Sequence, residues 1–192
     1  MRVQLPELRQ ELLAMMQRDQ RMRWDAAMHG KAWDWSVDRQ HTRRMRVMVQ
    51  RYGWPTIPKV GPRASEAAWL LVQHADLDVD FQEQCLALVR QAVRTGVVKR
   101  AHLALLVDRV AVNRGRRQTY GTQFGKNRRG VFGPRPIRDR RNLDARRRTM
   151  GLRPFVEDER TLHERQAKMR LGPIPRPPPS IRKLLPSPHR GT

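Results

Sequence analysis

The stretch AAWLLVQHAD, residues 67–76, decides how the rest of the chain is read. Ala67 to Val72 is an unbroken apolar run, and Gln73, His74 and Asp76 follow it directly. A helix that is hydrophobic all round has no face to give to water, so it belongs at the centre of a bundle. The run therefore predicts a central helix and demands partner helices before and after it. Its polar end raises a second question. Either it closes off the core, or it forms one wall of a site.

The partners are legible on both sides. Leu5, Leu8, Leu12, Met15, Met16 and Met22 recur at helical spacing, with Pro6 tolerated in the opening turn. Asp19 stands on this stripe where an apolar residue would be expected. The connection HGKAWDWS, residues 29–36, carries Gly30 as a breaker. Asp38 or Ser36 can cap a second helix with an inner face of Met45, Met48, Val49 and Tyr52. YGWPTIPKVGP, residues 52–62, ends that helix through Gly53 and Pro55. Beyond the central run, Phe81, Cys85, Leu88, Val89 and Ala92 mark a fourth helix stopped by Gly96. HLALLVDRVAV lies in a fifth, from Arg100 to Asn113. No segment before Arg114 alternates in the manner of a strand.

After Arg114 the texture changes. The basic segment 114–137, with GRRQTYGTQFGKNRRGVFGPRPI at its heart, predicts a small β-hairpin or an ordered loop insert. Asp139–Met150 and Glu157–Leu171 read as helices with thin apolar faces. GPIPRPPPSIRKLLPSPHRGT, residues 172–192, reads as a disordered Pro-rich tail. The expected fold class is mainly α. A single helical-bundle domain over residues 1–155 is followed by a C-terminal helix at 156–171 and the basic tail at 172–192.

Charge follows the same division. Of a net +22 over 192 residues, the first 113 contribute +6 and the remainder +16. Only six of the 40 basic residues are lysine, so the arginine count by itself is compositional. The imbalance between bases and acids is not, and a field of that sign attracts polyanions without specificity. Cys85 is the only cysteine, which excludes an internal disulfide and a cysteine-rich metal site. MRVQLPELRQELL lacks the apolar region of a secretory signal, and no window reaches the roughly 20 apolar residues of a membrane span. A soluble, cytoplasmic protein is the expectation.

Three segments hold candidate chemistry. His74, at the end of a buried helix, can shuttle protons if a carboxylate fixes its tautomer; it can equally cap carbonyls of its own helix as a cation. Asp76 and Asp108 are the candidate carboxylates. Asp108 and Arg109 lie among Leu and Val, where charge is costly unless paired or facing a polar cavity. Arg109 there either clamps an anionic group or locks its helix to a neighbour through a salt bridge. QTYGTQ, residues 118–123, crowds Gln118, Tyr120 and Gln123 around Gly121, in a substrate-positioning loop or an ordinary hairpin. Other signals fail. GTQFGKN, residues 121–127, is one residue short of a phosphate-binding loop and has Asn127 where magnesium needs Ser or Thr. His29, His41, His102, His163 and His189 show no metal-ligand spacing, so no metal ligand is assigned.

Taken in order, YGWPT (52–56), VG (60–61), AAWLLVQHAD (67–76), FQEQCL (81–86), DRV (108–110), G-x-x-Q-x-YGTQ (115–123) and DARRRTMGLRP (144–154) resemble a bacterial, mainly actinobacterial family known as domain of unknown function 6624. The resemblance covers most of residues 5–155. It places emphasis on His74, Asp76, Asp108, Arg109, Gln118, Tyr120, Gly121 and Gln123, and implies that these separated polar segments share a pocket. Trp54, within YGWPT, joins Arg109, Gln118, Tyr120 and Gln123 as a substrate-binding candidate. The resemblance carries no activity and no cofactor. This chain departs from it at Arg138, after Gly96 and in the proline tail.

Two readings follow. In the first, a polar pocket binds or hydrolyses a small polar, phosphate-bearing ligand. His74 is its acid or base, Asp76 or Asp108 orients the ring, and Arg109 holds the anion. In the second, the chain is a basic protein that binds nucleic acid through residues 114–192, or a partner through its tail. The sequence decides neither whether the chain is an enzyme nor its oligomeric state.

Overall fold

The structure, a computed structural model, describes residues 3–168. The expected proline-rich tail over 172–192 lies outside the described residues. The chain runs through α1 (Pro6–His29), α2 (Trp35–Tyr52), α3 (Ile57–Val60), α4 (Pro62–Gln73), α5 (Val79–Arg94) and α6 (Arg100–Asn113). A two-stranded hairpin, β1 (Phe124–Lys126) and β2 (Phe132–Pro134), comes next. A 3-10 turn (Arg140–Asn142), α7 (Leu143–Thr149) and α8 (Phe155–Lys168) complete the described chain. The fold is mainly α with one small hairpin.

Central α4 buries Ala64, Ala67, Ala68, Leu71 and Val72. Its alanines let α1 lie close, against Leu8, Leu12 and Met15, while Met45 and Met48 of α2 and Phe81, Cys85 and Val89 of α5 fill the remaining sides. The helix is not buried all round. Trp69 and Leu70 are half-buried, and the Trp69 ring stacks on His102 of α6 with centroids 4.1 Å apart. Gly30 closes α1 in the left-handed conformation (φ 67), as a helix C-cap favours.

One local reading is corrected. The cap of α2 is Asp34, whose carboxylate accepts from Ser36 N at 2.9 Å; neither Ser36 nor Asp38 serves. Asp38 lies inside the helix, buried, facing α1. The segment after Pro55 also forms a short helix, α3, because Pro58 sits where its missing N–H costs nothing.

A second, smaller core holds the C-terminal part together: Ile137, Leu143 and Phe155, with Phe124 packed against them. Arg147 threads through it, fully buried. It donates to Arg153 O at 2.7 Å and Tyr120 O at 2.6 Å, and pairs with Asp158. Gly121 is required here, since at φ 70 a Cβ would stand 2.9 Å from the Phe155 ring.

Candidate functional site

His74 is the first residue past α4, and its own N–H still closes the helix onto Leu70 O at 3.0 Å. The last carbonyls of a helix need donors. Ala75 N reaches Val72 O at 3.1 Å, and Gln82 of α5 adds its buried amide nitrogen, 3.1 Å from Val72 O and 3.3 Å from Gln73 O. Gln82 thus does the capping that a cationic His74 would have done. The imidazole turns instead toward α1, where its Nδ1 lies 2.9 Å from Asp19 Oδ2.

Asp19 is 1% exposed. Burial works to raise its pKa, but the His74 hydrogen bond, the charge of Arg23 and the Gln20 amide outweigh it and hold the carboxyl down at about 2. Asp19 is therefore a carboxylate across the neutral range and can only accept, so the proton of the contact sits on His74 Nδ1. Burial pushes the His74 pKa down and Asp19 pushes it back up, with Arg23 and Arg109 adding to the lowering. The result is a neutral imidazole at pH 7. The side chain is 16% exposed, and no described residue hydrogen-bonds Nε2.

Arg23 joins this pair to α2. Its Nε donates to Asp19 at 3.0 Å and its Nη2 to Asp38 at 2.6 Å, while the guanidinium lies 4.8 Å from the Trp33 ring centroid. Trp33 Nε1 donates to the other Asp38 oxygen at 2.9 Å. Even so, burial, with repulsion from Asp19 and Asp76, lifts Asp38 to about 6 against the pull of Arg23 and Trp33. His41, one turn further along α2, is buried and its pKa is lowered by that burial; its Nδ1 has no partner among the described residues.

Asp76 and Arg109 form the adjoining layer. Arg109 Nε and Nη2 grip the Asp76 carboxylate at 2.9 and 2.8 Å, and Nη1 donates to Gln123 Oε1 at 3.0 Å. Asn113 bridges Asp76 at 2.8 Å and Gln82 at 2.9 Å. Burial would raise Asp76, but Arg109, Asn113, His74 and Gln82 hold it below the usual carboxylate range.

His74, Asp76, Arg109 and Gln123 are therefore brought together, but in altered roles. Asp76 orients Arg109, and Asp19 is the carboxylate bonded to His74. Asp108, fully buried, points away from His74. It accepts from Thr119 N at 2.6 Å, Tyr120 N at 3.0 Å and both Thr122 N and Oγ1 at 3.0 Å. Gln118, also fully buried, bonds its own loop, to Gln123 N and O and to Arg135 O. Trp54 packs in the core. Tyr120 lines a concavity on the far side of α6 that includes none of the His74 cluster. Arg23, Asp38, His41, Gln82 and Asn113 were not named as site residues from the sequence, although Asp38, His41, Met45 and Met48 share one inward stripe of α2.

Among the described residues, no group of three His, Cys, Asp or Glu side chains is placed to hold a metal ion, and no helix is long and apolar enough to cross a membrane.

Fold and site together define a mainly α domain in which a buried carboxylate–imidazole pair joins α1 to the end of α4. The chain belongs to the family of unknown function DUF6624, whose model matches residues 6–169 and so spans every residue of the cluster. No curated protein and no solved structure matches it.

Proposed function

We propose that His74 is a general base, oriented by Asp19, that activates water or a substrate hydroxyl for hydrolysis or group transfer on a small polar molecule. The Asp19–His74 contact carries this reading. A buried carboxylate fixes the tautomer and supports the imidazolium that forms when Nε2 takes a proton. Burial keeps the ring neutral, and hence basic, at pH 7.

The charge of the site argues about the substrate. Asp19, Asp38 and Asp76 face Arg23 and Arg109, and each guanidinium is already engaged by carboxylates. The site has no buried cation to spare, so a neutral or cationic group fits it better than a phosphate. The anion-clamping role expected of Arg109 gives way to a positioning one, because Asp76 neutralises it and Gln123 steadies it.

Binding of nucleic acid through residues 114–192 has less support. Arg114 and Arg116 pair with Glu83, Arg146 pairs with Asp139, and Arg147 is buried, so part of that segment's charge builds the fold.

The test has two arms. Nitrogen-15 shifts of the His74 ring should show Nδ1 protonated and Nε2 bare at pH 7; a charged ring or the opposite tautomer would remove the base. On any chromogenic ester, amide or glycoside that the protein turns over, His74→Ala and Asp19→Asn should each slow kcat by on the order of 10²–10⁴-fold. Turnover unchanged in His74→Ala would end the proposal.

A further inference from the structure

On the opposite side of α6 from Arg109, the structure carries a concavity of about 600 Å³. At 100° per residue, Leu103, Val107, Val110 and Ala111 share one face of α6, and Arg109 points away from it. With Leu86 of α5 these residues form an apolar floor. Arg90, Arg117 and Arg138 stand on the rim, with Thr119 and Tyr120 beside them. Glu83 and Arg116 also reach the rim, but they pair with each other at 2.8 Å, and Glu83 pairs with Arg114 at 2.7 Å as well. Arg90, Arg117 and Arg138 have no side-chain partner among the described residues, so the positive charge around the floor is uncompensated.

The fold also holds the polar edge of this hollow rigidly. Fully buried Asp108 takes the backbone N–H groups of Thr119 and Tyr120, Arg146 donates to Thr119 O at 3.0 Å, and fully buried Arg147 donates to Tyr120 O. Buried charges are costly, and here their shared effect is to fix the two residues that overhang the floor. No described residue hydrogen-bonds the Tyr120 hydroxyl.

We infer that this groove binds a small amphiphilic anion, a phosphate monoester with an apolar body. The apolar floor takes the body, and Arg90, Arg117 and Arg138 take the head through bidentate guanidinium hydrogen bonds, with Tyr120 adding a donor. The volume lies within the range of small-molecule sites, roughly 300–1,000 Å³. The site shares no side chain with the His74 cluster and stands or falls separately from it.

The test is calorimetric titration of the full chain with octyl phosphate, inorganic phosphate and octanol. Octyl phosphate should bind one to one, and the other two at least tenfold more weakly, since each lacks half of the ligand. Arg90→Gln/Arg117→Gln/Arg138→Gln should lose octyl phosphate binding by tenfold or more. Arg21→Gln/Arg43→Gln/Arg63→Gln, which removes equal charge from exposed sites elsewhere, should bind as the unaltered chain does. His74→Ala should also bind normally. Equal binding of inorganic phosphate or octanol, equal loss in both triple variants, or no saturable binding of octyl phosphate would each overturn the assignment. So would a poly-dT oligonucleotide that binds with equal loss in both triple variants and displaces octyl phosphate from the groove, since the rim would then be part of a diffuse basic surface.

Discussion

Replacing Asp38 with asparagine isolates what one buried charge costs this fold. Asp38 is 4% exposed, and its carboxyl titrates near 6 in place of 3.8, because burial and the neighbouring Asp19 and Asp76 outweigh Arg23 and Trp33. For an acid whose folded pKa is raised, the native state holds a proton that the unfolded state has lost between the two values. Stability therefore falls as pH rises from about 4 to about 6. A shift of this size corresponds to about 3 kcal/mol at neutral pH. Asp19 acts with the opposite sign in a separate window: with its folded pKa lowered to about 2, its contribution is intact above 3.8 and fades only as pH falls below that. His41 and His74 titrate in both proteins and cancel to first order in the difference. Arg23 stays charged throughout, and its attraction for the ionised Asp38 is already contained in the pKa of about 6, so it adds no separate slope. Asp38→Asn should accordingly gain stability relative to the unaltered chain by about 3 kcal/mol between pH 4 and pH 7, an upper bound of roughly 6–12 °C in Tm. Urea unfolding followed by circular dichroism at pH 4, 5, 6 and 7 gives that difference directly. A flat difference over this range would show that Asp38 is not held in a costly ionised state, and the electrostatic account of the site would fail with it.

Two further substitutions test the framework around the site. Gln82→Leu keeps the volume but strips Gln73 O of its donor, while Val72 O keeps Ala75 N and Asn113 keeps Asp76, and should cost about 1–3 kcal/mol by chemical denaturation; a loss under about 0.5 kcal/mol would mean that Gln73 O finds another donor. Asp108→Asn places an amide N–H against the donors of Thr119, Tyr120 or Thr122, and should cost about 2–4 kcal/mol while speeding amide exchange at those residues. The His74 ring shifts should not move, and movement would contradict the placement of Asp108 outside that site.

The helices were legible because each core-facing stripe is dominated by Leu, Met, Val and Phe at helical spacing, and α6 runs over Arg100–Asn113 as its pattern predicts. The site was legible only in part, and for a physical reason. His74 could be flagged from one segment, but its partner lies 55 residues away on α1, and no local pattern encodes which carboxylate meets a ring across a bundle. The signal that did exist was the interruption of apolar stripes: Asp19 on α1, and Asp38 with His41 on α2. An Asp seen as a helix cap and an Asp seen as a buried ion-pair member look alike in sequence. They separate only when Asp34 is found to be doing the capping. Asp108 poses the converse difficulty. A charged residue between Leu and Val reads as chemistry, whereas loop backbone N–H groups satisfy it completely.

Asp19 and Asp38 offer the sharpest internal comparison. Both are buried aspartates, and both bond the same guanidinium of Arg23, yet one titrates near 2 and the other near 6. Their neighbours make the difference. Asp19 has His74 and Gln20 in addition, whereas Asp38 adds only Trp33 and bears the repulsion of Asp19 and Asp76. A salt-bridge cluster selected for stability alone would be relieved by neutralising Asp38, since a buried charge that stays poorly compensated lowers stability. Like groups in one cluster, driven apart in pKa by their surroundings, are the pattern that acid–base sites share. The adjacent imidazole, with its bonded Nδ1 and open Nε2, stands where such a site would need it.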